Sequence, residues 1–343
     1  MRRIVCLLVL CIAGPALGKT DPLFESNDTL KVTIEAPFKR ILQTRSLEDE
    51  EQGTFTYTDE AGQEHQFAIQ IRARGKSRRE PATCNFPPIR LNFKKSETKD
   101  TLFDKQDKLK LVTHCKSDSV VHKQGLLREY LVYRMFNLLT DRSFRVRLLE
   151  ITYEYSEVKR RPITEFGFLI EHKNRLGKRI DAKPVELIGP AQLGKLHSDF
   201  VNLATMFHYL IANVDFSTFA AAEEDDCCHN HILFGEGEEL YYSIPYDFDM
   251  SGFVSAEYAV PNPRYGLRRI TQRYYRGHCV NNEHLPQTLK QFDEKRDEFY
   301  ALVETFPHLS KYSRKLTTRL MDDFYKIIDD PRLVEKRLEG RCH

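Results

Sequence analysis

Apolar residues recur at every second position through the first part of this 343-residue chain and at every third or fourth position through its last part. Any fold must therefore place strands early and helices late. Leu30, Val32 and Ile34 alternate, as do Phe55 and Tyr57, and Phe67, Ile69 and Ile71 beyond Asp59-Glu60-Ala61-Gly62. A period of two buries one face and exposes the other, and a turn-forming cluster between two such runs reads as a β-hairpin. Residues 87–93 and 108–112 add two candidate strands, and the acidic stretch 46–53 reads as a solvated loop.

Residues 124–139 place Leu127, Leu131, Met135, Phe136 and Leu139 on one helical face, and strands are expected at 145–155 and 165–171. A strongly apolar helix is expected over 199–213, from Phe200, Leu203, Ala204, Phe207, Leu210 and Ile211, and two amphipathic helices at 285–306 and 309–328. Single cores stop growing near about 250 to 300 residues. The reading is an α+β, bilobal, protein-kinase-like fold: a β-rich N-lobe over 19–172 with one main helix, and an α-rich C-lobe over 173–343.

The first 18 residues read as a secretory signal, with Arg2 and Arg3 before an apolar run and Ala16-Leu17-Gly18 as the cleavage site. No later run is long and uncharged enough to span a membrane, so the expectation is a secreted or periplasmic protein with no integral membrane segment after signal removal. Six cysteines follow the signal: Cys84, Cys115, Cys227, Cys228, Cys279 and Cys342. An even number in an exported chain favours disulfides, with Cys84–Cys115 and one of Cys227 or Cys228 with Cys279 as the expected pairs. A formal charge of +2 with 30% charged residues gives no basis for bulk nucleic-acid binding. Asn27-Asp28-Thr29 is a glycosylation sequon in a eukaryotic source.

The chemistry concentrates between residues 213 and 252. Tyr246-Asp247-Phe248-Asp249 places two carboxylates one residue apart after an apolar strand, an arrangement suited to Mg²⁺ shared with phosphates, and Asn230 adds an amide oxygen. Phosphoryl transfer also needs a carboxylate to orient the nucleophile and cations on the phosphates. Asp215, after the apolar helix, is the preferred base; Asp225, five residues before Asn230, competes with it. Arg72, Arg74, Lys76, Arg78 and Arg79 surround Gly75 and could meet phosphate oxygens or form a solvated turn. Lys94 or Lys110 could pair with Glu129 as kinase lysines do. The run Cys227-Cys228-His229-Asn230-His231 offers zinc-ligating atoms at a spacing unsuited to a finger. No nucleophile elbow, zincin, Walker or dinucleotide motif occurs.

These residues resemble the spore coat protein H (CotH) kinase family, atypical secreted or surface kinases, over residues 68–255. Arg74-Gly75-Lys76-Ser77 is similar to its Arg-Gly-Asn-Ser turn, Pro88 to Phe93 to its basic strand, and Phe166 to Glu171 to the strand leading to its interlobe hinge. Asn213-Val214-Asp215, Asn230 to Leu233 and Asp247-Phe248-Asp249 resemble its catalytic and metal-binding segments. The resemblance implies Asp215 as the catalytic residue and Asn230 and Asp247 as metal ligands, with Glu171 near the nucleotide. Here residues 216–229 are inserted between the catalytic Asp and the Asn. The leading expectation is an ATP- and Mg-dependent kinase acting on a hydroxyl of an exported protein. The alternatives are a catalytically silent binding or structural module, and a metal-dependent hydrolase using Asp247, Asp249 and His229.

Overall fold

The computed structural model describes residues 21–221, 224–235, 237 and 240–343; the expected signal at 1–18 lies outside them. Seven strands form a closed mixed barrel in the order β1-β2-β3-β4-β5-β7-β6. They are β1 (Leu30–Ala36), β2 (Glu51–Thr58), β3 (Glu64–Ala73), β4 (Ile89–Phe93), β5 (Lys108–Val112), β6 (Val146–Tyr155) and β7 (Ile163–Ile170). The expected hairpin forms at Asp59, whose Oδ1 accepts from the backbone of Ala61 at 3.0 Å and of Gln63 at 2.9 Å, while Gly62 takes a positive φ of 81°. Residues 51–53 of the expected acidic loop already belong to β2.

Closure comes from a pairing that periodicity does not reveal. β1 runs parallel to β6 from Leu30 opposite Leu149 to Ala36 opposite Tyr155. Each strand then sends alternate side chains to opposite sides. Leu149, Ile151 and Tyr153 of β6 enter the barrel with Ile34, Phe55, Phe67, Ile71, Leu91 and Leu111. Val146 and Leu148 of the same strand face outward, into a second core.

That second core corrects the expected fold. Helix α1 (Phe38–Thr44) is short, but α2 (Val120–Leu139) is buried around most of its circumference. Its apolar side chains share one core with α4 (Ser198–Leu210), α5 (Leu285–Glu294), α6 (Arg296–Thr305) and α7 (Lys311–Ile328). The bilobal kinase-like arrangement, a β-rich lobe owning one main helix, is not what forms. The strands close on themselves as a barrel, and the helix expected to serve them packs on the outside of β6 and β7, in one core with the C-terminal helices.

A three-stranded sheet of β8 (Lys183–Pro184), β9 (His231–Gly235) and β10 (Tyr241–Pro245) follows α3 (Lys173–Arg179), and α8 (Pro331–Arg337) comes last. The helix expected over 285–306 is two helices, interrupted at Lys295. Among the described residues three disulfides form: Cys84–Cys115 as expected, but Cys227–Cys228 and Cys279–Cys342 in place of a bridge to Cys279 from the vicinal pair. Among the described residues no helix is long and apolar enough to cross a membrane.

Gly167 of β7 sits at a tight point of the barrel wall. A Cβ there would stand 2.8 Å from Ile151 Cδ1 and 3.0 Å from the Val112 carbonyl, and a backbone atom cannot swing aside. Gly167→Ala is expected to cost about 1–3 kcal/mol by overpacking, read as a lower urea midpoint with an unchanged m-value.

Candidate functional site

Three loops and one strand meet at the mouth of the barrel around a cleft of about 470 Å³. The turn after β3 supplies Arg74, Gly75 at a φ of 93°, and Arg78, while β5 supplies Lys110. From the other side come Asp215, the pair His229-Asn230 before β9, and Asp247 and Asp249 after β10.

Arg78 is the centre of the arrangement. Its Nη1 lies 3.2 Å from Glu129, its Nη2 3.1 Å from Asp247 and its Nε 3.2 Å from Asp249. Burial opposes its charge, but the Glu129, Asp249 and Asp247 carboxylates outweigh that cost and hold its pKa well above the ordinary value. Three carboxylates around one guanidinium leave a surplus of negative charge in a buried place. Burial raises Glu129 and Asp249 above the usual carboxylate range, each helped by the neighbouring carboxylates. Glu129 Oε1 is buried without a hydrogen-bond partner among the described residues.

Helix α2 organises the acidic wall through two residues one turn apart. Glu129 holds Arg78, and Tyr133, four positions on and so on the same face, accepts through its hydroxyl from the Asp247 backbone N–H at 2.8 Å. Asp247 itself takes the left-handed conformation, with φ 59°. Asp and Asn tolerate that region better than other side chains, and the strained turn is held by its contacts on both sides.

Asp215 is clamped. His229 Nε2 meets its Oδ1 at 2.9 Å, and the Asn230 amide donates to its Oδ2 at 3.0 Å and to its backbone carbonyl at 2.6 Å. The hydrogen bond to Asp215 raises the His229 pKa against the opposing effect of burial. The inserted segment makes this possible by folding back. Ser217 N donates to the His229 carbonyl at 2.9 Å and His229 N to the Ala220 carbonyl at 3.1 Å, so residues fifteen apart in sequence become neighbours.

Behind Asp215 runs a buried polar chain whose proton directions follow from its ends. The Asp215 N–H donates to Asn213 Oδ1 at 2.9 Å, so the Asn213 amide nitrogen faces His208 Nδ1, at 3.1 Å. His208 Nδ1 must then accept and its Nε2 carry the proton toward His231 Nε2, at 2.9 Å. His231 Nδ1 donates in turn to the Ser243 carbonyl at 3.0 Å. Both imidazoles are neutral in this scheme. Burial pushes His231 down to about 3 and His208 well below the usual value.

Two cations of the cleft lack an ion pair. Arg74 and Lys110 have no ion-pair partner among the described residues. Burial, with Arg74 close by, lowers Lys110 to about 8, and its ammonium lies 4.8 Å from the centre of the Tyr246 ring. Other expectations fall elsewhere. Lys94 is exposed and pairs with Glu97 at 3.0 Å, away from the cleft. Arg78 takes the place expected of a lysine opposite Glu129. Glu171 is buried against Arg179 at 2.8 Å and lines an adjacent cavity of about 290 Å³, together with Lys110 and Tyr246. Asp225 stands on the cleft rim 3.7 Å from Lys76, without the amide clamp that Asp215 has. Cys227 and Cys228 are bonded to each other, so they offer no thiolates and the zinc reading fails.

Sequence reasoning passed over His208, Tyr133 and the central role of Arg78. Their only signals were a histidine and a tyrosine within apolar helices, and one arginine among five basic residues. The chain matches no protein-family model, and no curated protein or solved structure shows significant similarity to it.

Two outcomes test this electrostatic reading. Arg78→Leu is expected to cost about 3–5 kcal/mol, the scale for breaking a buried ion pair. The loss is larger near about pH 8 than near about pH 5, because carboxylates with raised folded pKa values favour the folded state as they protonate; urea titrations at both values check this. For the histidines the sign reverses. Imidazoles held neutral in the fold contribute fully above their unfolded value of about 6.5 and lose that contribution as the pH falls below it. Unfolding free energy is therefore expected to drop on acidification below that value, and His231→Gln to start lower at neutral pH and fall less steeply.

Proposed function

We propose that the cleft binds a nucleoside triphosphate with Mg²⁺ and transfers its terminal phosphoryl group to a hydroxyl. The observation that carries this reading is the meeting, in one cleft, of unpaired cations with unpaired oxygen atoms. Arg74 and Lys110 face it from the barrel. Asp247 Oδ2, Asp249 Oδ1 and Asn230 Oδ1 accept no hydrogen bond from any described residue, although each residue lines the cleft.

The donor set fits Mg²⁺, a hard cation that takes oxygen ligands, uses one or two carboxylates and leaves its other positions to water and phosphate. Among the described residues no three His, Cys, Asp or Glu side chains form a ready-made metal group. Asp247, Asp249 and Asn230 would hold the ion, and bound there it would neutralise charge on the transferring phosphate.

The chain's own residues supply the rest. Arg74 and Lys110 would bind phosphate oxygens, and an anion beside Lys110 would restore its ordinary basicity. Asp215 would orient the acceptor hydroxyl and take its proton, its two oxygens set by His229 and Asn230. The residues of the CotH resemblance contribute to both walls of the cleft, which supports that likeness of site without the bilobal fold. The three disulfides are compatible with an extracellular location and hence with an exported acceptor.

A second reading has its own observation. Arg78 already occupies one oxygen each of Asp247 and Asp249, as it would in a catalytically silent binding module. Titration calorimetry with ATP, with and without Mg²⁺, separates the two. Wild-type protein is expected to bind only with Mg²⁺; Asp247→Asn to lose that dependence; Asp215→Asn to keep the affinity while transfer falls about 10²–10⁴-fold, the range for a positioned base. Absence of Mg²⁺-dependent binding by the folded wild type overturns the transferase reading in favour of the silent module.

A further inference from the structure

The segment from Tyr258 to Asn282 carries five arginines and no Asp or Glu. It is mostly irregular backbone, and it lies directly against the site. A Cβ on Gly252, three residues after Asp249, would stand 2.7 Å from the Ile270 carbonyl and 2.9 Å from Ala212 Cβ. Ala212 begins the loop that bears Asp215. The three backbones therefore stack without intervening side chains.

The arginines divide into two sets by direction. Arg273 and Arg276 point inward and are consumed by the fold. Arg273 Nε donates to the Tyr209 carbonyl at 2.9 Å and Nη2 to that of Leu210 at 3.0 Å, satisfying the open C-terminal end of α4. Arg276 Nη1 donates to the Val214 carbonyl at 2.9 Å and also to that of Phe216, the two residues flanking Asp215.

Arg264, Arg268 and Arg269 point outward. All three are exposed, and none has an ion-pair partner among the described residues, although acidic side chains are nearly as numerous as basic ones in the chain, 50 against 52. Arg264 lines a cavity of about 200 Å³ whose other wall is Phe216 to Phe219, the residues that follow Asp215. Capping and packing explain the inward pair. They leave the outward set, of which Arg264 stands nearest the Asp215 loop, without an ion pair inside the protein among the described residues.

We infer that Arg264, Arg268 and Arg269 form a docking surface for an acidic polypeptide, which threads past the Phe216–Phe219 wall so that a hydroxyl beside its carboxylates reaches Asp215. Guanidinium groups suit this task because their planar donors match carboxylates in pairs. In a chain whose formal charge is only +2, a local charge of this kind governs encounter and register more than bulk attraction does. The identification of the bound peptide as the acceptor rests on the transferase reading; the binding surface does not.

The test is fluorescence anisotropy with a short labelled peptide bearing a serine between Asp and Glu residues, run without nucleotide or metal. A twin with Asn and Gln in place of the acids is the control. The acidic peptide is expected to bind at least about tenfold more tightly than its twin, a difference of about 1.4 kcal/mol, and to weaken as salt screens the charges. Arg264→Ser/Arg268→Ser/Arg269→Ser should abolish that preference while its circular dichroism and Mg²⁺-dependent ATP binding match wild type. Arg→Lys changes at the same positions should restore part of it.

Equal binding of the two peptides overturns the inference, as does a preference that survives the triple substitution. Retention of heparin, RNA or anionic vesicles with no preference for the acidic peptide overturns it equally. If the peptide binds as expected but wild-type protein shows no Mg²⁺-dependent ATP binding, the transferase reading falls and the docking surface stands.

Discussion

One buried guanidinium holds the site together. Arg78 comes from a turn of the barrel, Glu129 from α2, and Asp247 and Asp249 from the loop after β10, and each of its three kinds of nitrogen takes one carboxylate. Removing a cation from water in this way is costly, and so is burying Glu129 and Asp249 and half-burying Asp247. The parts are stable only together, so the barrel and the helical core cannot separate at this point without leaving uncompensated charge. Burial, and after it the neighbouring carboxylates, is what raises Glu129 and Asp249 above the usual carboxylate range.

The rest of the site leans on α2 and α4. Helix α2 carries Glu129 and Tyr133 on one face and is buried in the shared core on the others, so Arg78 and the Asp247 backbone are positioned by an element that packing makes rigid. Helix α4 ends at Leu210, and the Asn213–Asp215 loop that follows is fixed from behind by the His208–His231 pair and from the side by Arg276. Support of the Asp215 loop by two neutral imidazoles, beside the His229 and Asn230 contacts to its carboxylate, fixes its position. It also brings an acid sensitivity, because those imidazoles must stay uncharged.

Much of the local structure was legible in the residues. Period-two alternation located β1, β2 and β3 and the turn at Asp59, and the apolar repeats located α2, α4 and α7 to within a few residues. Asp215, Asn230, Asp247, Asp249, Arg74 and Lys110 all line the cleft. The misreadings share a cause. The bilobal fold failed because alternation says which face of a strand is apolar but not which strand lies beside it, and the parallel pairing of β1 with β6 decides between an open lobe and a barrel. Lys94 and the bridge to Cys279 failed because both were long-range pairings chosen from residue type alone.

What the sequence determined by itself was the set of elements and the chemical types available to a site: strands early, helices late, carboxylates and an amide after apolar segments, a basic turn after a hairpin. Those follow from interactions among residues a few positions apart, which periodicity records. The tertiary structure alone decided that the barrel closes, that Arg78 rather than a lysine meets Glu129, and that residues 216–229 fold back so that Asn230 clamps Asp215. Each of these is a contact between distant parts of the chain, selected by burial and charge balance in the finished core, and no local pattern encodes it.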